Sequence, residues 1–302
     1  MKVLVTGGAG FIGSNLADAL LELGHEVHII DNLETGKKEN LNPKAVFHQV
    51  DIRNYEDIAP VFKGIDFVFH LGALARIQPS IKNPLPSHHA NATGTLNVLI
   101  AAERAGVKRV IYSGSSSVYG RRNQTPFRED MPADPLNPYA VQKLVGEMYC
   151  RNFTELYGLE TVILRYFNVY GPREILEGAY ATVIGIFRQQ LKEGKSMTMV
   201  ADGAEKTRDF THVRDVVRAN ILAMESKKVG HAEIINIGTG KNYTIKELAN
   251  MFGGQIEVIS ARPGETVTTL ADNSKARDLL GWEPTVSLKD GVSEIKKLHG
   301  LK

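Results

Sequence analysis

A cluster of glycines near the start of the chain limits its fold more than any other feature. The apolar segment Lys2–Thr6 runs into Gly7-Gly8-Ala9-Gly10-Phe11-Ile12-Gly13, and a helical pattern of apolar residues continues to Gly24. A second apolar segment, Glu26–Ile30, ends at Asp31. Because a strand, a glycine turn, a helix, a strand and an acidic residue follow one another within roughly thirty residues, the sequence predicts a βαβ unit with parallel strands.

The glycine turn indicates a site for a dinucleotide. Its glycines fit both Gly-x-Gly-x-x-Gly and Gly-x-x-Gly-x-x-Gly. Glycine lets the backbone turn tightly and approach a pyrophosphate, whose charge then lies at a helix N-terminus. Asp31 can accept hydrogen bonds from the adenosine ribose and would repel a 2′-phosphate, which favours NAD over NADP. A glycine turn alone also occurs in other α/β proteins, but the strand, helix and acidic residue in register favour the dinucleotide.

Strand and helix patterns continue to alternate after this unit. Asp51 and Ile52 follow the third predicted strand and could frame an adenine ring, and the small residues within 72–75 would let the backbone pass close to a cofactor. We predict an α/β fold with a Rossmann-type, doubly wound parallel sheet and a smaller C-terminal α/β substrate domain. We place the NAD-binding domain at 1–165 and the mainly substrate-binding domain at 166–302, with segments near 208–240 packing back onto the first domain. The further predicted strands in the first domain are 45–50, 66–71, 108–113 and 160–165, and the helices are 88–105 and 139–157.

Tyr139 and Lys143 lie four residues apart in a predicted helix, so the phenol and the ammonium share one face. A free tyrosine titrates near pH 10, and a nearby positive charge favours the phenolate. The serine run at 113–117 ends a predicted strand, where ligands of parallel sheets bind. Such a pair is often only an exposed lysine beside a half-buried tyrosine, and such a serine run is often a solvated loop. Because the same chain carries a dinucleotide-binding turn, the tyrosine–lysine pair and the serine run together favour a site for proton transfer to and from an alcohol.

Composition argues against several functional classes. Lys and Arg total 36 and Asp and Glu total 34, so the net charge of +2 gives no basic surface for nucleic acid or anionic membranes. Cys150 is the only cysteine, which rules out an intrachain disulfide and suits a reducing compartment. The histidines lack metal-ligand spacing, and we expect His212 to be packed or hydrogen-bonded. No apolar run reaches the roughly 18 residues of a membrane span, and no signal-peptide layout is seen. We expect a cytoplasmic protein without a metal site.

With these motifs together, the chain resembles the extended short-chain dehydrogenases/reductases, and among them the UDP-hexose 4-epimerases. By that likeness, Tyr139 is the base that takes the proton of the sugar 4-hydroxyl while hydride leaves C4 for the nicotinamide. Lys143 binds the nicotinamide ribose and lowers the pKa of Tyr139. Ser115, with Ser116 as the fallback, hydrogen-bonds the sugar oxygen. The 4-keto sugar then turns over and receives the hydride on its other face. The motifs are Thr6–Gly13, Asp31-Asn32, Asp51-Ile52, Ser113–Gly120, Tyr139–Lys143, Arg165–Asn168, Arg208–Phe210, Gly238–Gly240 and Arg262–Glu265.

The resemblance also implies contacts to cofactor and substrate. Arg208 and Arg262 match diphosphate-binding arginines, and Asn168 matches a residue at the sugar–phosphate end. Thr269 matches the position that limits the room near C2 of the sugar, and because threonine is small we expect N-acetylhexosamines to be accepted as well as plain hexoses. The expected cofactor-binding residues are Gly7, Gly10, Phe11, Ile12, Gly13, Asp31, Asn32, Asp51, Ile52, Leu71, Ala73, Tyr139, Lys143 and Tyr166.

Several alternatives stay open. Sugar-nucleotide 4,6-dehydratases carry an Asp-Glu pair in the serine loop, and UDP-glucuronate decarboxylases usually carry a glutamate where Ser117 stands, so the loop favours plain epimerisation. UDP-glucuronate 4-epimerase and a non-catalytic NAD-binding sensor remain. Two segments depart from the family pattern, at 76–79 and between Asp202 and Arg208. By resemblance, helices 88–105 and 138–157 form a four-helix bundle in a homodimer, with Leu144, Met148 and Phe153 as candidate contacts.

Overall fold

The computed structural model describes residues 1–175, 182–260 and 267–301, in which strands and helices alternate. The strands are β1 (Lys2–Thr6), β2 (Glu26–Ile30), β3 (Val46–His48), β4 (Phe67–His70), β5 (Arg109–Ser115), β6 (Glu160–Tyr166), β7 (Val169–Tyr170), β8 (Met197–Val200), β9 (Thr207–Arg208), β10 (Thr211–His212), β11 (His231–Ile237), β12 (Tyr243–Thr244) and β13 (Ile256–Ile259). The helices are α1 (Phe11–Glu22), α2 (Tyr55–Ile58), α3 (Ile77–Lys82), α4 (Pro84–His88), α5 (Gly94–Arg104), α6 (Pro138–Tyr157), α7 (Val183–Lys192), α8 (Val213–Glu225), α9 (Ile245–Phe252), α10 (Ser274–Leu280) and α11 (Leu288–Leu298).

A seven-stranded sheet forms the centre of the fold, with the strand order β11-β6-β5-β4-β1-β2-β3. Every neighbouring pair in it is parallel. Val3, Leu4 and Val5 of β1 are fully buried, as expected for a parallel strand covered by helices on both faces. The strand order reverses between β1 and β4, and open sheets of this kind bind ligands outside the carboxyl ends of their strands at such a point. The predicted doubly wound parallel sheet is confirmed.

The helix that carries Tyr139 has the boundaries that its sequence dictates. Pro138 is its first residue, a position where the missing N–H of proline costs nothing. The side chain of Asn137 caps it by accepting a hydrogen bond from the amide of Ala140 at 2.9 Å. Gly158 ends it with φ of +72°, the left-handed conformation that favours glycine. The predicted range 139–157 was therefore right to within one residue.

The predicted helix 88–105 differs from the structure in two ways: the helix begins earlier, and it is not a regular α-helix throughout. The helix begins at Pro84, passes through a π-helical turn at His89–Thr93, and continues as α5. Pro84 can begin a helix for the same reason as Pro138. A π turn inserts one residue into the helical register, which no apolar period in the sequence reveals. The side chain of Asn91 lies in this turn and bonds both the amide and the carbonyl of Leu74, so the turn is tied to the loop after β4.

The second half of the chain builds a smaller core of its own. β8 and β13 pair in parallel, and α7, α9 and α11 pack on them around Phe187, Phe252 and Ile295. Other parts of this half join the large sheet: β11 is its outermost strand beside β6, and α8 shares a core with α1. The division into domains at residue 166 stays a prediction.

The candidate dimer contacts occupy different environments. Phe153 is only 7% exposed and belongs to the core, and Leu144 is half-buried against an aromatic cluster, whereas Met148 is 60% exposed. His212 is buried, and its Nδ1 accepts the backbone N–H of Arg214 at the start of α8, so the expectation of a packed, hydrogen-bonded histidine is confirmed. Within the described ranges, no helix is both long and apolar enough to cross a bilayer.

Candidate active site

A cleft of about 540 Å³ runs along the carboxyl ends of the central strands and reaches the smaller core. Every predicted site residue that the structure describes lines it, from the glycine turn to Thr269. Arg262 is the one exception, because it lies outside the described residues. Side chains separated by most of the chain length therefore meet in one place.

The glycine turn forms a close-fitting cradle at one end of the cleft. The amide of Gly7 donates to the carbonyl of Ile30 at 2.7 Å, which holds the turn against β2. Gly7 has φ of +72°, and a Cβ there would come within 2.8 Å of the backbone of Gly72. A Cβ on Gly13 would lie 2.2 Å from the carbonyl oxygen of Gly7. Among the described residues no side chain caps the N-terminus of α1 at Gly10, and Phe11, Ile12 and Gly13 line the cleft, where uncapped helical amides would suit an anion.

Asp31 lies at the end of β2, where the cradle would meet an adenosine ribose. Its carboxylate accepts the amides of Ala9 at 3.0 Å and Leu33 at 2.8 Å. Burial raises the pKa of Asp31, and these two hydrogen bonds act in the opposite direction. Asn32 donates to Asp51 at 2.7 Å, which joins the ends of β2 and β3. These residues fit a dinucleotide: a tight glycine turn, uncapped helical amides and an acidic group for a ribose.

Tyr139 and Ser115 lie next to each other in the middle of the cleft. The Ser115 side chain lies close enough to Tyr139 to act on its pKa, and the Ser115 hydroxyl lies 2.8 Å from that of Ser117. The amide of Ser117 donates to the Ser115 hydroxyl and so orients it. This arrangement brings Ser115 rather than Ser116 to the tyrosine.

The pKa of Tyr139 shifts in the direction opposite to the expected lowering. Burial raises the pKa of Tyr139, while the neighbouring Ser115 side chain and the positive charge of Arg76 act to lower it. Lys143 is directed elsewhere: its ammonium donates to the carbonyl of Ser113 at 2.7 Å and lies 4.9 Å from the centre of the Tyr112 ring. Among the described residues, burial outweighs the positive charge of Arg76, so these groups do not lower the pKa of Tyr139.

Asp209 supports the opposite wall of the cleft. Its hydrogen bonds connect the Arg208–Phe210 motif with the Gly238–Gly240 motif. Its carboxylate accepts hydrogen bonds from the amides of Thr239 and Gly240, so the Gly238-Thr-Gly240 turn is anchored to the segment after β9. The hydroxyl of Thr269 accepts from the amide of Asp209 at 3.2 Å and from the side chain of Asn168 at 3.0 Å. The structure thus brings Asn168 and Thr269 into contact, beside Arg208.

Arg208 lies in β9 with its guanidinium group along the rim of the cleft. It donates to the carbonyls of Thr207 at 2.9 Å and Val267 at 3.0 Å. These hydrogen bonds orient the guanidinium group of Arg208. A guanidinium group pairs well with a phosphate because it can donate two parallel hydrogen bonds.

Sequence reasoning missed Glu174, which lines the same cleft. Its side chain is 3% exposed, and neither carboxyl oxygen has a hydrogen-bond partner among the described residues. Burial raises its pKa to about 8, while Arg188 and Arg76 act to lower it. Glu174 follows the segment where the regular strand–helix alternation breaks, and no motif in the sequence singles it out. Arg76 was noticed only as a departure from the family pattern.

Comparison with known proteins agrees with this arrangement. A model of the NAD dependent epimerase/dehydratase family matches residues 3–238. A putative UDP-glucose 4-epimerase of Methanocaldococcus jannaschii is 40% identical over 301 residues, which cover 97% of this chain and 96% of that protein. The structure of the UDP-glucose 4-epimerase of Thermotoga maritima with UDP-glucose superposes with a TM-score of 0.94 at 38% identity and covers 99% of both chains.

A second solved structure carries a different sugar. The UDP-N-acetylglucosamine 4-epimerase of Methanobrevibacter ruminantium, in complex with UDP-N-acetylmuramic acid, has a TM-score of 0.91 and 37% identity and covers 98% of both chains. The family match spans most of the chain. The glycine cradle, Asp31, Tyr139 and Lys143 line one cleft. The protein is an enzyme that uses NAD and belongs to the NAD-dependent epimerase/dehydratase family.

Proposed function

We propose that this enzyme interconverts UDP-hexoses by inverting the configuration at C4 of the sugar. The observation that carries the proposal is the single cleft in which the glycine cradle, the Ser115–Tyr139 hydroxyl pair and the Asn168–Thr269 wall meet. NAD, when bound, supplies a group that accepts hydride from C4 and returns it. The glycine turn and Asp31 would hold its adenosine and pyrophosphate, and Lys143 and Tyr166 would lie near its nicotinamide half.

The chain's own contribution is to hold the sugar and to move one proton. Tyr139, as the phenolate, takes the proton of the 4-hydroxyl group and gives it back after the sugar has turned over. Ser115 bonds the same oxygen and keeps it within reach of the tyrosine. Arg208 would pair with the diphosphate of the substrate. Because one hydroxyl proton leaves and returns in each turnover, no other acid is needed in the serine loop, where Ser116 and Ser117 stand.

The test is to incubate purified protein with UDP-galactose, without added NAD, and to separate the products. We expect UDP-glucose at the equilibrium ratio, because NAD regenerated in each cycle stays bound. A 4-keto-6-deoxy sugar would show a dehydratase instead, and turnover of UDP-glucuronate alone would show a uronate epimerase. Inertness towards every UDP-sugar in protein that retains NAD would favour the NAD-binding sensor.

We further propose that N-acetylated UDP-hexosamines are substrates, because the side chain at 269 is small. Replacing Thr269 by tyrosine should abolish turnover of UDP-N-acetylglucosamine while UDP-glucose turnover changes by no more than about threefold, since a phenol would fill the space beside C2. Thr269→Ser is the matched control, because it keeps the hydroxyl that Asn168 and Asp209 bond. Product analysis for both sugar pairs gives the ratio, and a wild type inactive on the acetylated pair would refute the prediction.

The enzyme is proposed to form a homodimer in the cytoplasm, with α6 and its neighbours at the interface. Ile81, Leu85, Val141 and Met148 leave apolar side chains exposed on the adjacent helices α3, α4 and α6, and clustered apolar surface is typical of an interface. Met148→Lys should convert dimer to monomer in sedimentation velocity. Leu298→Lys, a similarly exposed apolar residue on α11, is the control and should leave the dimer intact. A wild type that sediments as a monomer would contradict the proposal.

A further inference from the structure

A buried ion pair lies directly behind the lysine of the active site. Glu147 is in α6, four residues after Lys143, so the two side chains share one face of the helix. Lys143 is 4% exposed and Glu147 is 3% exposed. Arg165 of β6 donates to both carboxylate oxygens of Glu147, from Nε at 3.0 Å and from Nη2 at 2.6 Å. Two charge-assisted hydrogen bonds fix the carboxylate in place.

The other titratable groups that face Lys143 carry no charge near neutral pH. Burial lowers the pKa of His70, on β4, to about 3, and burial raises the pKa of Tyr112 on β5 and of Cys150 on α6. Burial lowers the pKa of Lys143 itself to about 8, and the carboxylate of Glu147 acts to raise it. Within the described part of the chain, Glu147, paired with the Arg165 guanidinium, is therefore the carboxylate that acts on this lysine.

We propose that Glu147, held by Arg165, is a positioning residue that keeps the side chain of Lys143 protonated at neutral pH. A buried ammonium without a counter-charge loses its proton readily, because burial disfavours the charged form. A neutral amine could not supply all the donors of an ammonium to a nicotinamide ribose. The pair lies outside the cleft lining and touches no substrate, so its effect passes through Lys143. Of the two measurements described below, the activity measurement rests on the proposed epimerase function, and the measurement of retained NAD does not.

The test is the pH dependence of the Glu147→Gln holoenzyme. Glutamine keeps the size and one acceptor oxygen but removes the charge. We expect the alkaline limb of kcat/KM to move down by about one pH unit, since a tenfold change in the protonation equilibrium is one unit. Activity should fall about fivefold at pH 8, approach a tenfold loss at higher pH, and recover towards the wild-type value at pH 6, because the pKa of Lys143 is about 8. Glu147→Asp keeps the charge and should leave the limb where it is.

A second readout does not depend on turnover. We expect the fraction of NAD retained after gel filtration to fall with rising pH, and to fall about one unit earlier in Glu147→Gln. If Glu147→Gln does not fold, Glu147→Met/Arg165→Met replaces the pair with an apolar one, a change that buried pairs often tolerate, and the same shift is expected. A uniform loss of activity at every pH, or an unshifted NAD-retention curve, would overturn the proposal. A shifted retention curve in a protein that epimerises nothing would keep it and reject the proposed reaction.

Discussion

Replacing Tyr139 by phenylalanine is expected to lower kcat for C4 epimerisation by about 10²- to 10⁴-fold, the usual contribution of a positioned general acid or base. The substitution removes the atom that exchanges the proton and leaves the ring in place. The neighbouring Ser115 hydroxyl keeps its hydrogen bond with Ser117, so the substitution does not leave that hydroxyl without a partner. Initial rates with UDP-galactose, measured by separating the products, give the change in kcat.

The same variant should retain its NAD and its thermal stability. Tyr157→Phe is the matched control, because it makes the same chemical change on the same helix at a site exposed to solvent. That control should keep wild-type kcat. Tyr139→Phe with more than about a tenth of wild-type kcat would contradict the assigned role, since the loss would fall below the range for acid–base catalysis. Loss of bound NAD from it would point to a binding role instead.

The second large effect is expected at the glycine cradle. Gly13→Ala should reduce bound NAD by at least about tenfold and lower the unfolding free energy by about 1–3 kcal/mol. The new methyl group would lie 2.2 Å from the carbonyl oxygen of Gly7, so the turn must open, and its amides would no longer line up on a pyrophosphate. NAD released by denaturing the purified protein, measured per mole of chain, tests the first effect, and denaturant unfolding tests the second.

Gly24→Ala separates these two effects. Gly24 has φ of +79° and no atom within 4 Å of an added Cβ, so alanine there costs about 1–2 kcal/mol from backbone strain alone. It lies beyond the far end of α1 and outside the cleft lining. We expect this control to lose stability but to retain its NAD. Equal NAD contents in the two variants would show that stability, rather than the shape of the cradle, controls binding.

Local sequence patterns predicted the central sheet well because its strands carry strong local signals. The apolar runs of β1 and β2 fix both strands to the residue, and Pro138, Asn137 and Gly158 fix the ends of α6 within one residue. The π turn at His89–Thr93 was missed because apolar periodicity carries no signal for it, and its tie to Leu74, 17 residues before Asn91, is a tertiary contact. The packing of α6 on the sheet likewise decides which of its apolar residues are buried in the core. Phe153 is one of them, so its side chain is not available for a dimer contact.

The active site was predicted as a set of residues but not as an electrostatic environment. The motifs predicted that Tyr139, Lys143 and Ser115 lie in one cleft, and in the structure all three line it. Spacing along a helix could not tell that the Lys143 ammonium bonds the Ser113 carbonyl, or that burial would raise the pKa of Tyr139. Glu174 has no motif at all and becomes visible only as a buried carboxyl group without partners among the described residues. Desolvation is a property of the folded chain, so sequence spacing cannot report it.

The most direct test of the proposed reaction follows the hydrogen at C4. Purified protein is incubated in ordinary water with UDP-galactose that carries deuterium at C4, and the UDP-glucose formed is examined by mass spectrometry and NMR. We expect the deuterium to remain at C4 in the product, because Tyr139 exchanges only the hydroxyl proton and the carbon-bound hydrogen never passes through water. Replacement of the deuterium by solvent hydrogen would contradict the mechanism.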